Sequence, residues 1–287
     1  MSKTNEIKRK KISTGKTAHI THALELVSSS KLAKVTDKKL RIEKYAQTLS
    51  TIIGNLADSC QNDFVNDFVT PHKKVKVIGL VVVATDRGLC GNLNTLLFRQ
   101  VIKAMQEAKK KNLGVVICTI GNKAYDFFHK NDLPILESYS KPNLTPDTTL
   151  SVCQKMIYQY TQKNVNEIHI FYNKMHSILE QSPTKQQVLP ILKVPKADKH
   201  YQCEYIFEPH REEVVNSLLD RYIRYTIYQA IVEGAASEEA ARTMAMKNAT
   251  ENANKIIEAL QLSMNKARQS QITTELSEII GGAEAIN

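Results

Sequence analysis

The stretch Ala249-Thr-Glu-Asn-Ala-Asn-Lys-Ile-Ile-Glu-Ala-Leu-Gln-Leu-Ser-Met-Asn-Lys-Ala267 decides the fold. Ala249, Ala253, Ile256, Leu260, Met264 and Ala267 recur by threes and fours, a narrow stripe that suits a coiled-coil seam rather than a broad core face. On one side the pattern extends back through Leu219, Ile223, Thr226 and Ala230. On the other it runs forward through Ile272, Leu276 and Ile279 to Gly281-Gly282, which predicts an amphipathic tip closed by a glycine cap. Ala235, Ala236, Ala240, Ala241 and Ala245 would let a second helix approach closely.

All eight prolines lie between Pro71 and Pro209, leaving the first 70 residues and the last 78 without one. Proline costs about 3 kcal/mol in a helix interior, so both ends are free to form long helices. In the first segment Ile20, Leu24 and Val27, then Ile42, Tyr45, Leu49, Ile52 and Leu56, repeat the threes and fours. A helix over 4–56 would be roughly 80 Å long and one over 212–280 roughly 100 Å. Each seam needs a helical partner, and the other end of the chain supplies it in antiparallel pairing. The longer C-terminal helix should outrun its partner.

Between the ends the period changes. Val75–Ala84 reads as a buried strand, followed by helical Leu93–Lys111; strands at Val115–Ile120, Ile135–Glu137 and Glu167–Tyr172 alternate with helices at Lys123–Lys130 and Thr148–Gln162. Alternation of this kind implies a largely parallel sheet. Further strands are expected near Gln186–Leu192 and Tyr201–Phe207. The predicted fold class is α/β: a long antiparallel coiled coil of N- and C-terminal helices plus a central α/β, Rossmann-like domain, divided at 1–70, 71–209 and 210–287.

The 287-residue chain carries a formal net charge of +10, with 42% apolar and 24% charged residues, the composition of a folded protein. No run approaches the roughly 18–20 apolar residues of a membrane helix, and Met1–Glu6 has no apolar stretch for a signal peptide, so no direct membrane insertion is expected. Five cysteines without a C-x-x-C pair read as free thiols. Residues 1–56 hold twelve Lys+Arg against four Asp+Glu, which points to nucleic-acid phosphate, an acidic protein surface, or a solvated face. Absent Trp and 6% aromatics weaken a base-stacking reading.

Catalytic signals are few. Asp86-Arg-Gly-Leu-Cys-Gly-Asn92 joins a strand to a helix, where amides can bind phosphate, but it lacks the lysine and hydroxyl of a P-loop. A glycine-requiring turn with Cys90 packed locally is the better reading. His19 and His22 stand near one another on the first helix without further ligands at matching spacing. No catalytic residue, cofactor site or metal site is expected.

Three stretches carry a family resemblance. Ile20-Thr-His-Ala-Leu-Glu-Leu-Val-Ser-Ser-Ser-Lys31, Thr85-Asp-Arg-Gly-Leu-Cys-Gly-Asn-Leu-Asn94, and Ala241–Ala253 with Asn265–Ala283 resemble the gamma subunit of F-type ATP synthase, bacterial type. The most specific is Ile272–Ala283, which meets Ile-Thr-x-Glu-x-x-Glu-x-x-x-Gly-Ala at every fixed position. Leu24, Ser28-Ser29 and Asn92 depart from the Met, Ala-Ala and second Gly of many bacterial relatives. The plastid type's inserted cysteine pair is missing, since residues 190–210 contain only Cys203.

The resemblance implies a non-catalytic rotor shaft, coupling proton flow through a membrane ring to the nucleotide sites of beta subunits. Its implied partners are three alpha and three beta subunits, epsilon and the membrane c-ring, with no nucleic acid. The implied place is peripheral, on the cytoplasmic face of a bacterial inner membrane. Arg268, Gln269 and Thr273 are implied to meet beta catch loops; Lys8, Arg9 and the Cys90 loop to lie near an acidic collar; and Tyr205, Phe207 and Glu208 to belong to the foot. The rival reading is a nucleic-acid-binding coiled coil using the basic first helix.

Overall fold

A computed structural model of the chain describes residues 3–59, 68–72, 74–140, 146–191, 207–208 and 210–284. Their elements run α1 (Lys3–Ser59), β1 (Val77–Val83), α2 (Leu93–Lys110), β2 (Gly114–Ile120), α3 (Asn122–Lys130), β3 (Ile135–Tyr139), α4 (Pro146–Thr161), β4 (Glu167–Met175), β5 (Gln181–Leu189) and α5 (Arg211–Glu284). The 57 residues of α1 and the 74 of α5 bear out the two long terminal helices. Contacts divide the chain into a two-helix unit, 1–29 with 242–287, and a sheet unit, 30–241.

In the sheet unit the strand order is β3-β2-β1-β4-β5, parallel except for β5, which returns antiparallel to β4 through a short hairpin. Side chains alternate between two faces. Leu80, Val82 and Ala84 pack with Leu97, Val101 and Phe128 of α2 and α3. Val81 and Val83 join Met156 and Tyr160 of α4, Leu49 and Ile53 of α1, and Ile223, Ile227 and Ile231 of α5. Burial on both faces is why β1 is apolar without interruption.

Two glycines make the approach of elements possible. Gly121 has φ +101°, and a Cβ there would lie 2.4 Å from the Ala84 carbonyl oxygen. Gly234 lets α5 lie against β1, since a Cβ would sit 3.2 Å from Val83 Cγ1.

In the two-helix unit α1 and α5 run antiparallel. Thr4 Oγ1 meets Gln271 Oε1 at 3.4 Å, Lys11 Nζ donates to Gln261 Oε1, and the Thr21 and Thr250 hydroxyls lie 2.7 Å apart. The buried stripe of α1 differs from the expected one: Ala18, Thr21 and Ser28 are buried, whereas Ile20 and Val27 are 61% and 52% exposed. Small and hydroxyl side chains occupy the seam because they let two backbones come close, while the bulkier apolar residues are left outside. On α5 Ala253 and Met246 are buried but Ile256 is half exposed.

The glycine pair corrects a second expectation. Gly281 and Gly282 do not stop α5, which continues to Glu284. Glycine costs a helix only about 1 kcal/mol relative to alanine, so it permits a cap without imposing one. The strand expected at Tyr201–Phe207 falls mostly outside the described residues, and Phe207 itself is not in a strand. No helix among the described residues is long and apolar enough to cross a membrane.

Candidate functional site

Three surfaces carry the residues singled out from the sequence. On the two-helix unit, Arg268, Gln269 and Thr273 are exposed on α5, with the Thr273 hydroxyl bonded back to the Gln269 carbonyl at 3.0 Å. The Arg268 and Gln269 residues are exposed rather than packed. Around them Ile272, Leu276, Ile279 and Ile280 are 46–67% exposed, and on α1 Ile12, Ile20, Leu26 and Val27 are more than half exposed. These apolar side chains stand exposed on the same helices as the exposed Lys8, Arg9 and Lys16.

Lys8 and Arg9 are both exposed on the first turns of α1. Beside them Lys10 pairs with Glu6 at 2.8 Å, an i,i+4 pair in solvent whose attraction is largely screened. His22 Nδ1 lies 3.4 Å from Glu25 Oε2, and among the described residues no three His, Cys, Asp or Glu side chains gather as a metal site.

In the sheet unit the 86–92 loop is tied to its flanking residues and to the start of α3. Asn94 Nδ2 donates to Thr85 Oγ1 at 2.7 Å, the Thr85 hydroxyl donates to the Arg87 carbonyl at 2.7 Å, and Asp86 Oδ1 accepts the Asn122 N–H at 3.0 Å. Gly91 takes φ +62°, the left-handed backbone expected of a glycine-requiring turn. Cys90 is buried at 3% and its sulfur lies among Thr85, Arg87 and Asn94. The thiol is therefore a packing element, and the loop presents Arg87 and Leu89, the latter 64% exposed with φ +64°. Of the foot residues, Phe207 is half-buried, Glu208 is exposed, and Tyr205 lies outside the described residues.

One polar cluster had no signal in the sequence beyond an acid set in a run of small apolar residues. Glu233 is 4% exposed on α5, and its Oε1 accepts from Lys39 Nζ at 2.8 Å and from the Met175 N–H at 3.1 Å. The neighbouring Tyr172 hydroxyl is pushed up to about 12 by burial and by the Glu233 carboxylate. A pairing 194 residues apart leaves no trace in local periodicity.

Comparison with known proteins agrees with this arrangement. A family model described as ATP synthase matches residues 3–286. The ATP synthase gamma chain of Xylella fastidiosa (strain M12) is 40% identical over 288 residues, covering all of both chains, and that of Ruthia magnifica subsp. Calyptogena magnifica is 36% identical with the same coverage. Among solved structures, the rotor of the Euglena gracilis mitochondrial ATP synthase shares the fold with a TM-score of 0.65 at 18% identity, over 94% of this chain and 98% of that one. The central stalk of the Tetrahymena thermophila enzyme gives 0.61 at 22% identity, over 80% and 99%. With a family model over almost the whole chain and full-length relatives at this identity, the chain belongs to the ATP synthase gamma-chain family.

Proposed function

We infer that the chain is the central rotor shaft of a bacterial F-type ATP synthase, coupling proton flow through the membrane sector to ATP synthesis and hydrolysis at beta-subunit sites. The observation that carries this reading is full-length relatedness to gamma chains that includes both terminal helices and the sheet between them. A shaft must be stiff, asymmetric and only weakly adhesive. Two paired helices supply the stiffness, and a basic, apolar-studded outer face can engage successive partners through exposed contacts that are individually weak.

In this role the chain carries no catalytic residue and holds no cofactor. Its partners are three alpha and three beta subunits, epsilon and the c-ring, on the cytoplasmic face of the inner membrane, and through them it also restrains ATPase activity. Arg268, Gln269 and Thr273 meet the beta catch loops. Lys8, Arg9 and the Cys90 loop, through Arg87 and Leu89, face an acidic collar. Tyr205, Phe207 and Glu208 form the foot. The nucleic-acid alternative finds no support, because the seam through which α1 would dimerise is occupied by α5 of the same chain.

The test is reconstitution. Added to alpha, beta and epsilon subunits and to membranes carrying only the membrane sector, the chain is expected to assemble and restore ATP-driven proton pumping. Failure to co-purify with alpha and beta subunits would overturn the reading.

A further inference from the structure

The register between β1 and β4 ends at Val82↔Phe171, yet β4 continues to Met175. Past that point two of its backbone groups are met by helix side chains instead of a strand. The Ser237 hydroxyl donates to the Asn173 carbonyl at 2.7 Å, and the Met175 N–H donates to Glu233 Oε1 at 3.1 Å. The two spacings are commensurate: four residues of helix advance about 6 Å, and two residues of strand about 6.7 Å. A helix side-chain pair at i and i+4 therefore fits strand residues at i and i+2, and any slip of α5 along β4 breaks both bonds at once. Lys39 adds α1 to the same point, with its Nζ 2.8 Å from Glu233 Oε1 and 3.4 Å from the Met175 carbonyl oxygen.

The helices also meet the sheet through apolar side chains such as Val81, Val83, Ile223, Ile227 and Ile231. Burial of that kind is adhesive but has no direction, so it resists separation better than sliding. Hydrogen bonds at buried positions are directional and costly to leave unmade. Ser237 is fully buried and the Glu233 side chain is 5% exposed, so water cannot replace the lost partners during a slip.

We propose that Glu233, Ser237 and Lys39 form a shear key that locks the helices to the end of β4, making them positioning residues for torque transfer within the sheet unit. The proposal rests on the rotor-shaft reading. A shaft whose sheet can slide against its helices still supports hydrolysis but loses part of each rotation before it reaches the membrane sector.

The decisive measurement is protons pumped per ATP hydrolysed by the reconstituted complex, alongside the amount of complex recovered. The double variant Glu233→Met/Ser237→Ala, which removes the acceptor for the Met175 N–H and the donor to the Asn173 carbonyl, is expected to lower that ratio by about threefold or more, the scale of one or two lost buried hydrogen bonds. Ser237→Ala alone should lower it measurably, and Ser237→Thr, which keeps the hydroxyl, should restore it. An unchanged ratio in the double variant overturns the key, because a merely structural role would reduce the yield of complex and leave the ratio alone. Where the double variant yields no complex, equal ratios for Ser237→Ala and Ser237→Thr overturn it instead. Failure of the wild-type chain to pump at all overturns the rotor reading itself.

Discussion

The Thr21 and Thr250 hydroxyls face each other at 2.7 Å across the seam of the two-helix unit, 229 residues apart in sequence. Each is also within bonding distance of a carbonyl of its own helix, Ala18 for Thr21 at 3.1 Å and Met246 for Thr250 at 2.9 Å. A polar pair at a seam position that is otherwise small works against alternative registers, because a slip of one turn would bury a hydroxyl against a methyl group.

This contact predicts a selective crosslink. With the five native cysteines replaced by serine, Thr21→Cys/Thr250→Cys should form a disulfide within one chain under mild oxidation, read as a mobility shift without a dimer band. Val27→Cys/Thr250→Cys should not, since Val27 is exposed on the outer face. A disulfide between two copies in place of the internal one would contradict the pairing.

The Lys39–Glu233 pair predicts asymmetric stability. Lys39→Met leaves a carboxylate that is 5% exposed without its counter-charge and should destabilise the chain by about 2 kcal/mol, less than for a fully buried pair because Lys39 is itself 18% exposed. Lys39→Met/Glu233→Gln removes both charges and should recover much of that loss. Chemical denaturation of the two variants checks the order, and a double variant less stable than the single one would contradict it.

Arg268 and Gln269 are exposed on α5, so replacing either with Leu should leave thermal unfolding of the chain nearly unchanged. Leucine also preserves helix propensity. In the assembled complex each substitution should slow ATP hydrolysis and pumping or weaken assembly, because a partner group left without its hydrogen bond costs about 1–3 kcal/mol. Wild-type rates for both variants would remove these side chains from the working surface.

His169 predicts a pH dependence. Burial first, and the Lys185 charge second, hold its imidazole below the ordinary value, against the opposing effect of Glu167, whose carboxylate lies 3.1 Å from Nε2. The unfolded chain then binds more protons than the folded one just below pH 6.5, so stability falls as pH drops through that window. The urea midpoint should decrease between pH 7.5 and 5.5. His169→Gln should shrink the decrease, and an undiminished slope would place its origin elsewhere.

Much of the architecture could be read without coordinates. The confinement of proline to residues 71–209 permits long helices at either end, and the apolar run from Val77 to Val83 can be stable only with both faces covered. The Gly-rich loop could be recognised as a glycine-requiring turn with Cys90 packed locally, and Gly91 at φ +62° with Cys90 at 3% exposure fits that reading.

The phase of the seam could not. A helix with apolar residues at Ile20, Leu24 and Val27 and small ones at Ala18, Thr21 and Ser28 offers two stripes, and periodicity ranks the greasier stripe as the core. Packing chose the smaller one, since the distance between two backbones is set by the side chains that must fit between them. The attachment of α5 to β4 was equally invisible, because Glu233, Ser237 and Lys39 acquire their partners only when residues far apart in the chain meet. Local sequence determined which segments are helices and strands, through backbone propensity and period. Tertiary structure decided which face of α1 remains outside for a partner and where the helices are fastened, because both depend on distances between segments that no local pattern encodes.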